Sequence, residues 1–248
     1  MIGFFDSGSG GLSVLSAFRA LAPRADVVYF GDITNAPYGE KPQAELVALT
    51  KAGIEKLREF GAMQIVAACN SVSASVLAGV AEDTPMIEMT APTATYMTQY
   101  ADKKFLLIAT PATIASGIYD RALTSIVELD SLAIPGLAGA IEFDAPEAEV
   151  RAIVHSALST KKSATYGGMI LACTHYPLVF PILAKEAKEM LGITLVVDPA
   201  VAVAAEVANR FDIQGQGAMQ FLISKESAIF RKRVADLFPN VPGEVVLV

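Results

Sequence analysis

The sequence predicts an α/β protein made of two pseudo-symmetric open parallel-sheet domains, with a site in the cleft between them. Three observations predict it. Short β-branched and aromatic runs alternate with amphipathic stretches of helical length, the pattern of parallel strands covered by helices on both faces. The segment Ile65-Val66-Ala67-Ala68-Cys69-Asn70-Ser71 is echoed by Met169-Ile170-Leu171-Ala172-Cys173-Thr174-His175. Each reads as a buried strand, a cysteine, two polar residues and then a helix. Finally, 248 residues, 53% of them apolar, are enough for one large core or two smaller ones.

The elements follow in order. Ile2–Phe5 is a strand and Gly11–Leu21 a helix; Val27–Phe30 is a second strand. Gln43–Phe60 is a helix, opened near Pro42 and stopped by Gly61. Ile65–Ala68 is a buried strand, with a helix from about Ser73. Met86–Glu88 and Phe105–Ala109 are strands. Glu147–Thr160 is a helix with one charged and one apolar face. Met169–Ala172 is a buried strand, followed by a helix from Pro181 to Leu191, a strand at Leu195–Val197 and a helix at Val201–Asn209. The tail offers a strand (Gln220–Ile223), a helix (Glu226–Phe238) and a last strand (Glu244–Val248). The repeat divides the chain between Thr95 and Ala101. It gives a first domain of residues 1–97 plus the returning tail 208–248, and a second of residues 98–207.

Composition narrows the partners. The net charge is −7, and Lys103-Lys104 and Lys161-Lys162 are isolated pairs on solvated surface, so no nucleic-acid partner is expected. Gly, Pro or charged residues break every apolar run before it could span a bilayer. The start, Met1-Ile2-Gly3-Phe4-Phe5-Asp6, lacks the features of a signal peptide. A cytoplasmic protein with no membrane partner is the expectation. Two cysteines in such a chain stay reduced, and they are too few for a zinc cluster. No metal is expected. The lysines sit in helix or surface contexts, which argues against a pyridoxal Schiff base.

In open α/β sheets, ligands bind beyond the carboxyl ends of the strands. The polar residues there are Asp6-Ser7, Pro37-Tyr38-Gly39, Cys69-Asn70-Ser71, Thr110 with Thr113, and Cys173-Thr174-His175. A lone cysteine is usually a small buried hydrophobe. Two in matched contexts ahead of helices point instead to thiols made usable as bases by helix N-termini. His175 can orient or protonate Cys173, whereas His155, in mid-helix, reads as surface. The loop Ser7-Gly8-Ser9-Gly10-Gly11 is an imperfect dinucleotide fingerprint, because Ser13 stands where the third glycine belongs. It reads as a tight turn that holds Asp6 and Ser7 at the cleft.

Paired thiols suit inversion at a carbon centre. One group removes a proton from one face and the other returns one to the opposite face. Backbone N–H groups at helix N-termini after Cys69 and Cys173 would hold carboxylates and support the developing carbanion. Asp6 and His175 are the natural proton partners of Cys69 and Cys173. Two other readings stay open: a Cys–His hydrolase that uses Cys173 alone, and a non-catalytic protein that binds a small acid or a protein partner in the cleft.

The segments Asp6-Ser7-Gly8-Ser9-Gly10-Gly11-Leu12, Tyr29-Phe30-Gly31-Asp32 with Pro37-Tyr38-Gly39, Ala68-Cys69-Asn70-Ser71 and Cys173-Thr174-His175-Tyr176-Pro177-Leu178 resemble the glutamate racemases of the cofactor-independent aspartate/glutamate racemase family. Looser likeness covers Thr110 to Thr113, Pro135 to Glu142 and Asp198-Pro199-Ala200, so it spans nearly the whole chain. The resemblance implies two α/β domains with glutamate between them, no cofactor, Cys69 and Cys173 as the catalytic acid/base pair, and a homodimer supplying D-glutamate for peptidoglycan. It also implies that Asp6, Ser7, Tyr38, Gly39, Asn70, Ser71, Thr174 and His175 line the pocket, with Glu142 near the second thiol. Departures are Ser71 for the usual Thr, Ile33-Thr34-Asn35-Ala36 in place of a segment that carries an arginine, Ala109 for Gly, and Ile134 and Gly139 for Cys and Pro. They bear on the substrate, with aspartate as the alternative, more than on the reaction.

Overall fold

The computed structural model describes residues 1–80, 83–239 and 244–248. The first sheet contains β1 (Ile2–Asp6), β2 (Val27–Gly31), β3 (Gln64–Ala67), β4 (Met86–Ile87) and, from the tail, β9 (Met219–Ile223) and β10 (Glu244–Leu247), in the order β10-β9-β2-β1-β3-β4. The second contains β5 (Lys104–Ala109), β6 (Glu128–Ala133), β7 (Gly168–Ala172) and β8 (Val196–Val197), in the order β6-β5-β7-β8. Among the described residues every strand pair is parallel. The helices are α1 (Leu12–Leu21), α2 (Gln43–Glu59), α3 (Asn70–Leu77), α4 (Thr90–Met97), α5 (Pro111–Ser116), α6 (Ile118–Leu123), α7 (Leu137–Glu142), α8 (Glu147–Ser159), α9 (Phe180–Leu191), α10 (Pro199–Arg210) and α11 (Ala228–Leu237).

The continuous apolar strands have the two-sided burial that parallel sheets require. Successive side chains point to opposite faces, so Phe4 and Tyr29 enter one core while Phe5, Val28 and Phe30 enter the other. The second sheet repeats this, with Leu106 and Ile108 on one face and Phe105 and Leu107 on the other. Among the described residues no helix is long and apolar enough to cross a membrane.

Strand order explains why the thiol segments recur. In each sheet the chain lays down a strand, places the next on one side, then crosses to the other side. Such a reversal opens a crevice at the carboxyl ends of the two central strands. The crevice of the first sheet lies between β1 and β3, which end at Asp6 and just before Cys69. That of the second lies between β5 and β7, which end before Thr110 and Cys173.

Three sequence expectations change. The helix expected from about Ser73 begins at Asn70, which puts Cys69 at its extended N-cap position (φ −144°, ψ 134°). Beyond Cys173 no α-helix follows at once. A 3-10 turn at Tyr176–Val179 intervenes and α9 starts at Phe180, so only Cys69 stands at an α-helix N-terminus. Finally, Ala200, Val203, Ala204 and Val207 of α10 pack in the first sheet's core. Residues 199–207 thus lie against the first sheet, although they were expected in the second domain.

Gly53 of α2 sits where an added Cβ would collide with the ring of Phe5, which is itself stacked on Phe30 (centroids 5.6 Å apart). Overpacking of this kind costs about 1–3 kcal/mol, and the helix-propensity gain of alanine returns about 1 kcal/mol of it. Gly53→Ala is therefore expected to lower the thermal midpoint. An unchanged or raised midpoint in a calorimetric scan would mean that α2 can move off the sheet.

Candidate active site

The two crevices face each other across a nearly closed cavity of about 10 Å³. Ser7, Tyr38, Gly39, Cys69, Asn70 and Ser71 form the wall from the first sheet. Thr110, Thr113, Ala138, Cys173, Thr174 and His175 form the opposite wall. Both thiols are free and buried, one on each side. A wider groove beside Arg151, His155 and Glu186 is an open surface without a thiol. His155, expected as plain surface, is exposed there but pairs with Glu186 at 2.9 Å.

The first wall is held by buried polar contacts. Tyr38 Oη donates to Asp32 Oδ2 (2.6 Å), and Asp32 also accepts from Asn35 Nδ2 (2.9 Å) and Ser224 Oγ (2.7 Å). Tyr119 Oη donates to Asn70 Oδ1 (2.7 Å), fixing the amide, while Asn70 Nδ2 is buried with no partner among the described residues. Such a donor needs an acceptor, from water or a ligand, to offset its desolvation. On the other wall, the Thr110 and Thr113 hydroxyls lie 3.0 Å apart.

Cys69 Sγ lies 3.9 Å from Ser7 Oγ. Burial, then the charge of Asp6, push this thiol up to about 12, against the opposing pull of the Val72 and Ser71 backbone N–H groups. It is therefore neutral at physiological pH. Asp6 does not line the cavity. Its carboxylate accepts from the Gly8 N–H (2.7 Å) and from Thr174 Oγ1 of the other wall (3.0 Å), and burial raises its pKa.

Cys173 has a different neighbourhood. His175 Nδ1 is 4.0 Å from its sulfur, and His175 Nε2 is 2.7 Å from Glu142 Oε2. Burial alone would lower the imidazole pKa, but its hydrogen bonds to Cys173 and Glu142 and their charges together raise it well above the ordinary value. Burial would likewise raise Glu142, yet the bond to His175, its charge and the bonds from Ser9 bring it below the usual value. The two form a buried charged pair, with the imidazole ring between Glu142 and the Cys173 sulfur. Glu142, expected near the second thiol, stands behind His175 and meets Cys173 through it.

The sequence reading did not single out Asp32, Ser9 or Arg233. Ser9 donates from its backbone N (3.1 Å) and Oγ (2.5 Å) to Glu142 Oε2, and Arg233 Nη1 lies 3.3 Å from the same oxygen. The glycine loop has its own logic. A Cβ on Gly8 would meet Glu142 Oε1 at 2.7 Å, and one on Gly10 would meet His175 Nδ1 at 2.5 Å. These glycines let the first half's loop approach the second half's polar groups. Among the described residues no cluster of side chains could hold a metal ion.

Comparison with known proteins gives a consistent picture. The Asp/Glu/Hydantoin racemase family matches residues 12–207. A glutamate racemase of Shouchella clausii is 38% identical over 191 residues, 73% of this chain and 68% of that protein. Another, from Aquifex aeolicus, is 31% identical and covers 98% of each chain. The crystal structure of glutamate racemase isoform RacE1 from Bacillus anthracis superposes with a TM-score of 0.88 at 27% identity, over 100% of this chain and 97% of that one.

Proposed function

The chain belongs to the Asp/Glu/hydantoin racemase family, and from that premise we propose that it interconverts L- and D-glutamate without a cofactor, using Cys69 and Cys173 as its two acid/base groups. The observation that carries the reading is the placement of one buried thiol on each wall of a single cavity. The substrate's Cα sits between them. Cys173, with His175 Nδ1 4.0 Å from its sulfur, takes the α-proton from one face. The neutral Cys69 thiol gives its proton to the other face. Each turnover leaves the opposite thiol protonated, and the reverse reaction runs through the same two atoms.

The cavity wall supplies the rest. Asn70 Nδ2, with Ser71 and Thr174, is placed to take the carboxylates, and donors fixed before reaction are what stabilise the developing carbanion. Asp6, through Thr174, links the two walls and biases Cys69 by its charge. Glutamate is preferred over aspartate because the relatives that match most of the chain are glutamate racemases. The same reading carries a role in supplying D-glutamate for peptidoglycan, in the cytoplasm and as a homodimer.

The test is to incubate reduced protein with L-glutamate and, separately, L-aspartate in D₂O without added cofactor. D-glutamate deuterated at Cα is the expected product. Turnover of aspartate alone would overturn the substrate, and no exchange with either amino acid from folded protein would overturn the reaction.

A further inference from the structure

Behind His175 the site continues to a residue of the C-terminal helix. Arg233 lies on α11, whose Phe230 and Val234 are buried in the first sheet's core. Its side chain is only 14% exposed and crosses to the end of α7, which packs in the second sheet's core. Nη1 donates to Ser9 Oγ, to Glu142 Oε2 (3.3 Å) and to the Glu142 carbonyl (3.4 Å), while Nη2 donates to the Ile141 carbonyl. Ile141 and Glu142 end α7, where helix carbonyls lack intrahelical partners. The Ile141 carbonyl also accepts from the Asp144 N–H (3.2 Å), so the guanidinium adds a second donor at this helix end and faces its last side chain with a positive charge.

From this geometry we propose that Arg233 is a positioning residue for Cys173, acting through Glu142 and His175 to set the charge state of the thiol. The proposal rests on the racemase reading for its kinetic consequences, but not for its electrostatic one. A buried carboxylate stays ionised only when paired and hydrogen-bonded. Glu142 is 3% exposed and holds its charge between His175 and Arg233. Removing the guanidinium makes the Glu142 anion costlier, so its hold on the imidazolium that faces Cys173 Sγ at 4.0 Å weakens. The other titratable groups facing this chain of contacts are Asp6, Tyr29, Cys69, Tyr119 and Tyr176, and Asp144, Lys232 and Asp236 flank the groove behind it. Arg233→Met leaves all of them in place.

The experiment compares the chain carrying Arg with Arg233→Met, using Arg233→Gln as a second neutral variant should the first not fold, and Arg233→Lys as the charge-keeping rescue. In a Cys69→Ala background, thiolate ultraviolet absorbance against pH reports Cys173 directly. The expected result is a midpoint moved to higher pH in the neutral variants, by on the order of one pH unit, and largely restored by lysine. In the protein with both thiols, kcat falls on the order of tenfold with KM little changed, and the acidic limb of the pH–rate profile moves the same way. An unmoved thiolate midpoint in folded neutral variants overturns the proposal, as does a loss of rate confined to KM or tracking the folded fraction. Failure of the racemase reading is distinguishable: the protein carrying Arg233 would then exchange no α-proton, while the thiolate titration would still be readable.

Discussion

Cys69→Ser and Cys173→Ser are each expected to abolish racemisation, with losses on the order of 10²–10⁴ or more. The change is nearly isosteric, so both variants keep the packing of a buried site. What is lost is acidity: a hydroxyl in this dry cavity neither ionises to a useful base nor gives up its proton as a thiol does. The informative readout is α-deuteration without inversion. In Cys69→Ser, Cys173 still stands beside the His175 imidazolium and can abstract from, and return deuterium to, its own face. One enantiomer of glutamate should therefore acquire deuterium with retention, while the other stays protiated. Cys173→Ser should show the opposite preference, and more weakly, because burial and Asp6 hold the Cys69 thiol up to about 12. Exchange of both enantiomers by one single-thiol variant would sink the assignment of one thiol to each face. The Cys173–His175–Glu142 sequence of contacts is also that of a nucleophilic triad. A hydrolase would keep its activity in Cys69→Ser, so the same variant separates the two readings.

Much of this site could be read in the sequence because strand ends carry it. The buried runs at residues 64–67 and 168–172 announce their strands, and the switch point of each sheet places the residue after the strand in a crevice. The elements that went unread have physical reasons. Glu128–Ala133 contains no β-branched residue and is half-buried at a sheet edge; it is a strand because β5 pairs with it. Thr90–Met97 is poor in helix formers, and the Glu88 carboxylate starts it by accepting from the Thr90 and Ala91 N–H groups. The helix expected from Pro181 to Leu191 is found at Phe180–Leu191, and a 3-10 turn with Pro177 near its start separates it from Cys173. Arg233 was invisible for another reason. It is one cation among several on an amphipathic helix, and only the apposition of α11 and α7 distinguishes it. Asn35, which stands where the family usually has arginine, donates to both oxygens of Asp32 and so supports Tyr38 from the side. That departure changes the surroundings of a pocket residue rather than either thiol.

Glu142→Gln is expected to cost both catalysis and stability, and its pH dependence identifies the cause. Breaking a buried charge pair by removing one partner costs about 3–5 kcal/mol, and here two cations, His175 and Arg233, lose the same anion. The Glu142 pKa in the folded chain lies below its ordinary value of 4.5, so its contribution is complete above that pH and is lost as pH falls through the lowered folded value. His175 runs the other way. Its folded value is raised above 6.5, so its contribution is complete below that pH and is lost as pH rises toward the raised value. The stability gap between the parent protein and Glu142→Gln should therefore be widest between these two ordinary values and narrow on both sides, which urea unfolding across pH would measure. Activity should respond differently. The glutamine can still accept a hydrogen bond from His175, so the ring stays oriented, but the imidazolium loses one of the two partners that raise its pKa against burial. With the imidazolium beside Cys173 weakened, kcat should fall while KM changes little, because Glu142 stands behind His175 rather than on the cavity wall. A pH-independent stability gap with unchanged kcat would mean that Glu142 and His175 meet as neutral partners, and that the thiolate is held by something other than the imidazolium.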